Sequence, residues 1–148
     1  MQASAKTARE LLEVTTLLMR GLSARMRRGG QRLEPSHVGI LAKASLGACS
    51  LTELAQHQSV RLPTMSKSVA LLVDRGWLER STVAGNRRQI VVSMTPEGRR
   101  VFAQMKKEAE KHVAGLLASL ETRERDDVDA GLAILRRVLG VAVRNERA

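Results

Sequence analysis

Apolar positions recur at three- and four-residue spacing through most of the chain, and the places where that rhythm fails mark its boundaries. Over residues 5–28, Ala8, Leu11, Leu12, Thr15, Leu18, Met19, Leu22 and Met26 fall on one stripe, which predicts a helix with a single buried face. Gly29 and Gly30 end it. A second helix is predicted to begin at Glu34 and Pro35, proline being preset for a first helical position, and to reach about Leu46. Gly47, Ala48 and Cys49 then break the pattern. Ser50 and Glu53 have the spacing of a capping box, each side chain covering the other's backbone N–H, so a short third helix starts there and reaches about His57. After the turn at Gln58, Ser59 and Val60, Pro63 opens a fourth helix, from Thr64 to about Arg75, closed by Gly76. Two helices of these lengths joined by so short a turn have the proportions of a DNA-binding helix-turn-helix.

The period then changes. Residues 77–83 and 89–94 are rich in β-formers, and Ala84, Gly85, Asn86, Arg87 and Arg88 between them supply a turn with residues that accept positive φ. This predicts a β-hairpin with a basic tip, attached directly to the helix-turn-helix. Thr95-Pro96-Glu97-Gly98 is a helix start: threonine as cap, proline first, and a carboxylate facing the helix dipole. Phe102, Met105, Ala109, Val113, Leu116 and Leu120 mark this fifth helix. Thr122 is expected to cap a sixth, with Val128, Leu132, Leu135, Leu139 and Ala142 on its inner face.

The expected fold is mainly α with a small β-hairpin wing. It is read as a single domain over residues 1–148, with a winged helix-turn-helix region at 34–95 and outer helices at 5–30 and 96–144. The outer helices carry more apolar surface than so small a winged region can cover. Pairing them with the same helices of a second chain solves this, with Leu11, Leu12, Leu18, Leu116, Leu132, Leu135 and Leu139 in the interface. A two-fold homodimer would set two recognition helices about 34–36 Å apart, one turn of DNA. The competing arrangement is a monomer whose terminal helices fold back on each other.

Charge sharpens this picture. The formal net charge of +10 is concentrated in residues 1–32 and 61–100, each of which carries +5, while the rest of the chain is near neutral. A basic surface favours a polyanion, because each phosphate neutralised releases condensed counterions. In the fourth helix Met65, Val69 and Leu72 form the apolar side, so Thr64, Ser66 and Lys67, with Pro63 at the helix start, are expected to face a major groove. Arg61 is a candidate for a backbone or base-edge contact. Arg87 and Arg88 at the hairpin tip suit a narrow minor groove, whose potential attracts arginine. Ser36 and His37 at one helix start, and Ser50 and Thr52 at another, are candidate phosphate contacts through side chains and helix N-termini, with capping alone as the plainer role.

Residues 60–100, VRLPTMSKSVALLVDRGWLERSTVAGNRRQIVVSMTPEGRR, resemble the centre of the MarR family of bacterial regulators. The shared pattern is a proline-led recognition helix ending in Arg-Gly, an apolar-Glu-Arg strand, a wing with a basic turn, and a Thr-Pro-Glu-Gly helix start. The stretches EPSHVGIL and ASLETRERDDVDAGLAILRRVL also fit. The resemblance implies a transcriptional regulator, often a repressor, acting as an intertwined homodimer on a pseudo-palindromic double-stranded site and often released by a small lipophilic or anionic effector. A pocket for that effector is expected where outer helices meet the winged region, lined by Met26, Val38, Leu41 and Met105. The chain departs from the family at three places. Asn86 stands where the family usually has an acid two residues before the groove arginine, here Arg88. Arg61 and Leu62 precede Pro63 where a serine is usual. Ala70 and Leu71 replace a frequent Asp and Arg, so no base preference carries over.

Other classes of function find little support. His37, His57 and His112 are scattered without metal-ligand spacing, and no nucleophile elbow, Walker loop or dinucleotide fingerprint is present, so neither an enzyme nor a bound cofactor or metal is expected. Cys49 alone forms no intrachain disulfide, fits a reducing compartment, and reads as a small buried hydrophobe; peroxide-sensing relatives pair such a thiol with tyrosine, which this chain lacks. No apolar run reaches the length of a membrane span and no signal peptide is evident, so a cytoplasmic location without membrane contact is expected. Two alternatives to a specific regulator stay open at this level: a non-specific architectural DNA-binding protein, and a helical protein-interaction module.

Overall fold

The computed structural model describes residues 2–28 and 33–145. In chain order the elements are α1 (Gln2–Arg28), α2 (Pro35–Ala44), β1 (Cys49–Ser50), α3 (Leu51–His57), α4 (Leu62–Asp74), β2 (Leu78–Val83), β3 (Asn86–Met94), α5 (Pro96–Leu117) and α6 (Thr122–Asn145). The mainly helical fold with a hairpin wing is the one the sequence predicts. The chain divides into two compact units, one running to Ala109 and the other starting at Glu110. None of the described helices is long and apolar enough to cross a membrane.

In the first unit, the core is built where the apolar faces of the short helices meet the sheet. Ile40 and Leu41 of α2, Leu54 of α3, Met65, Val69 and Leu72 of α4, Leu78 of β2 and Val92 of β3 are fully buried. Met26 of α1 and Phe102 and Met105 of α5 pack against this cluster from outside. With one Trp and one Phe in the chain, the core is aliphatic, and Trp77 is its one buried ring.

The sheet has three antiparallel strands in the order β1-β3-β2. Sequence periodicity misses β1, because two residues carry no alternation to read. Cys49 and Ser50 pair with Val92 and Val91 and anchor the hairpin to the start of α3. The Cys49 thiol is buried with Sγ 4.0 Å from the Val92 carbonyl, and burial pushes its pKa up.

Caps set the helix boundaries. The Ser50 Oγ accepts from the Glu53 N–H at 3.1 Å, and the Glu53 carboxylate accepts from the Ser50 N–H at 2.6 Å, as the capping box requires. A second cap was not read from the sequence: the Glu34 N–H donates to Nδ1 of His37 at 3.2 Å. At α5, Thr95 Oγ1 accepts from the Gly98 N–H at 3.0 Å and donates to the Gly76 carbonyl at 2.6 Å, tying this helix to the end of α4. Thr122 does not cap α6; it is the first helical residue. The capping carboxylate is Glu124, which accepts from the Glu121 N–H at 2.9 Å. The helix starts one residue earlier than a Thr122 cap requires, so the cap position falls to Glu121, whose carbonyl accepts from the Arg125 N–H at 3.0 Å.

The second unit comprises the end of α5 and α6. Its apolar residues are open in the single chain: Leu116, Leu132, Ile134, Val138 and Leu139 are each more than half exposed. In α1, Leu12 is 70% exposed, and Val14, Leu17, Leu18 and Met19 are exposed as well. Leu11 and Leu135, also assigned to an interface from the sequence, are intermediate.

Candidate nucleic-acid interface

The second helix of the helix-turn-helix, α4, presents two unlike faces. Met65, Val69 and Leu72, at spacings of four and three, turn into the core. The outer side carries Pro63, Thr64, Lys67, Leu71 and Asp74, all exposed, while Ser66 is half-buried at the flank. Its N-cap is Arg61, exposed and without a side-chain cap bond, so the first turn leaves backbone N–H groups beside a cation. Pro63 is the second helical residue, with Leu62 first, two positions before the start at Thr64 expected from the sequence.

The turn between α3 and α4 is held in place by side-chain and backbone bonds. Val60 N–H donates to the Ala55 carbonyl at 3.0 Å, and Ser59 takes φ 52°, a left-handed conformation. Gln58 reaches across to α2, donating from Nε2 to the Ser36 carbonyl at 2.8 Å. Gly39 leaves room for that amide: a Cβ there would stand 2.6 Å from Nε2.

The wing is tighter than the sequence suggests. Ala84 and Gly85 alone make the turn, Gly85 at φ 86°, and residues 86–88 belong to β3. The ladder is also irregular. Thr82 stands opposite Ile90, yet Val83 stands opposite Asn86 where an unbroken ladder would put Gln89. Arg87, Arg88 and Gln89 therefore lie in the register break, a place where sheets re-aim side chains. Asn86 Oδ1 accepts from the Arg88 N–H at 3.1 Å. The residue at the position where the MarR pattern usually has an acid thus braces the backbone of Arg88. Arg88 is exposed; the side chain of Arg87 lies outside the described residues.

The remaining sequence candidates separate. Thr52 is exposed near the start of α3, whereas Ser50 is committed to its cap. The side chain of Ser36 is half-buried, and its carbonyl receives Gln58. His37 does not stand at the surface with them. It is 8% exposed and its Nδ1 serves the Glu34 cap, so a phosphate role is replaced by a structural one. Burial holds its pKa below the ordinary histidine value, with Glu34 opposing and Arg75 adding to the shift.

A cavity of about 550 Å³ opens in the same unit between α1, α2 and α5. Met26, Val38 and Met105 are among its lining residues. Leu41 is not, because it points into the core and is fully buried. Arg25, Arg100 and Lys106 also reach the lining; Arg100 is paired with Glu97 at 2.6 Å. Among the described residues no group of three or more His, Cys, Asp or Glu side chains is disposed to hold a metal.

A helix-turn-helix followed by a β-hairpin wing, with a short strand before it completing a three-stranded sheet, defines the winged-helix class. Within it, residues 40–90 match the sequence model of the MarR family. An uncharacterised HTH-type transcriptional regulator of Mycobacterium bovis and an HTH-type transcriptional regulator of Mycobacterium tuberculosis are each 31% identical over 83 residues, which is 56% of this chain. The chain's match spans 58% of the length of these relatives. Among solved structures, RV1404 of M. tuberculosis has a TM-score of 0.80 at 20% identity, covering 93% of this chain and 94% of its own. Wild-type MarR of E. coli has a TM-score of 0.74 at 21% identity, covering 89% and 96%. YusO of Bacillus subtilis has a TM-score of 0.73 at 20% identity, covering 92% and 96%. The resemblance read from the sequence is borne out to this extent: residues 40–90 match the MarR family model, and the fold is the one seen in solved MarR structures.

Proposed function

We propose that this protein is a sequence-specific double-stranded DNA-binding repressor that acts as a homodimer on a pseudo-palindromic operator. The observation that carries this reading is the joint presentation of two cationic elements by one compact unit. Lys67 lies on the outer face of α4, and Arg88 lies in the register break of the wing. The α4 face enters a major groove, with Thr64, Ser66 and Lys67 toward base edges and Arg61 toward the backbone. The wing enters the adjacent minor groove through Arg88, with Arg87 beside it in sequence. Thr52 adds a backbone contact.

The exposed apolar residues of α1 and, separately, of α6 support the dimer, because helix faces with residues such as Leu12 or Leu139 open to water are poor surfaces for a lone chain. Residues 5–30 and 96–144 serve as the pairing helices, and residues 34–95 serve as the DNA-reading region. The cavity supports release by a small ligand. Its volume is within the usual range for small-molecule sites, and an apolar lining with cations at hand suits a lipophilic anion.

The test is a titration of the purified chain into its own upstream region and into unrelated DNA at near-physiological salt. A preference of about a thousandfold or more with two chains per site is expected. Equal, steeply salt-dependent binding to both would replace this reading with the architectural one.

A further inference from the structure

A basic side chain outside the groups already assigned stands between α4 and the wing. Arg80 follows the buried Leu78 by two residues on β2, so the two side chains leave the same face of the strand. Leu78 ends in the core beside α4. Arg80, one pleat nearer the tip, passes the core's edge and is exposed, and its Nη2 donates to the Ser66 carbonyl of α4 at 3.1 Å. That bond uses one of the five guanidinium N–H groups. No described carboxylate forms an ion pair with Arg80. An anchored cation with donors to spare therefore occupies the cleft between the two elements.

Geometry says what passes through that cleft. A duplex that receives α4 in a major groove and the wing in the neighbouring minor groove has one sugar–phosphate strand dividing those grooves. That strand runs between α4 and the hairpin. We propose that Arg80 binds a phosphate of this dividing strand, its guanidinium aimed by the Ser66 carbonyl and its remaining N–H groups directed to a phosphate oxygen. Arginine suits the task because its planar fork serves two acceptors in fixed directions, whereas a lysine ammonium is a single flexible point charge. The contact sets the register of helix and wing on the backbone and carries no base information. This assignment rests on the DNA-binding reading above.

The experiment compares wild type with Arg80→Ala, Arg80→Lys and the control Lys111→Ala on the selected operator, with thermal unfolding confirming that each variant is folded. Removing one phosphate contact lowers the magnitude of the log K against log salt slope by about 0.9, so the wild-type advantage over Arg80→Ala shrinks about threefold between 50 and 200 mM salt. The loss is equal on operator and unrelated duplexes. A single neutral methylphosphonate on the dividing strand weakens wild type and leaves Arg80→Ala unaffected, while Lys111→Ala behaves as wild type. Arg80→Lys restores the slope but not the full affinity. An unchanged slope in Arg80→Ala, or equal sensitivity of both proteins to every methylphosphonate, overturns the assignment alone. Failure of wild type to bind any duplex overturns the DNA reading and this assignment with it.

Discussion

Gly98 lies directly against the backbone of Trp77: a Cβ at position 98 would stand 2.8 Å from the Trp77 carbonyl carbon and closer still to its oxygen. The close approach is what lets Thr95 bond back to Gly76 and turn the chain from the sheet into α5. Alanine is intrinsically better than glycine in a helix by about 1 kcal/mol. Here the obstacle is main chain and cannot swing away, so overpacking outweighs propensity. Gly98→Ala is expected to lower unfolding stability by about 2 kcal/mol or more, read from the urea midpoint. A stabilised variant would show that α5 is not seated on Trp77.

Ser59 in the helix-turn-helix turn is the opposite case. Its φ of 52° is costly for a residue with a Cβ, and it is exposed with no side-chain bond among those described. Ser59→Gly is expected to raise stability by about 0.5–1 kcal/mol and leave DNA affinity unchanged. Ser59→Val is expected to lower it. Equal midpoints for serine, glycine and valine would mean the turn is not left-handed at this position.

Much of this was legible in the sequence, for physical reasons. The α4 stripe, the Ser50–Glu53 box and the Thr95 start are local patterns that carry their own signal, and they hold. What escaped depends on long-range pairing or on bonds that leave the regular ladder. Two-residue β1 exists because β3 offers an edge. The His37 imidazole takes the N3 place that a Glu or Gln usually fills in a capping box, so the usual residue pattern does not flag it. The tight wing turn and its register break arise from cross-strand pairing. Leu41 reads as a cavity residue because α2 has both a core side and a cavity side, and periodicity does not say which is which. Arg80 had one signal available, its two-residue spacing from the core residue Leu78.

His37 makes stability depend on pH. Its folded-state pKa lies below the ordinary value of 6.5, first because of burial. On acidification the unfolded chain takes up a proton that the folded chain resists, so stability falls as pH drops below about 6.5 and levels off beneath the folded pKa. Protonation at Nδ1 would also remove the acceptor for the Glu34 N–H. His37→Gln is expected to flatten this part of the profile, measured as the urea midpoint from about pH 7.5 down to about pH 5. Parallel profiles for the two proteins would remove His37 from the account.

The open apolar residues of α6 predict a further outcome. Leu139→Asp places a charge on the proposed pairing surface, where an unpaired buried carboxylate is costly. Sedimentation should show wild type at twice the mass of one chain and the variant dissociated at micromolar concentration, with operator affinity reduced accordingly. A wild type that sediments as a monomer at all accessible concentrations would contradict the dimer.

In the proposed complex, α4 and the wing enter adjacent grooves of one duplex. Chemical footprinting on the selected operator, comparing wild type with Arg88→Ala, tests it most directly. Wild type is predicted to protect guanine N7 in the major groove of two half-sites about one turn apart and the minor groove flanking each. Arg88→Ala is predicted to keep the major-groove protection and lose the minor-groove protection. Identical footprints for the two proteins, or protection no greater than on unrelated DNA, would contradict the account.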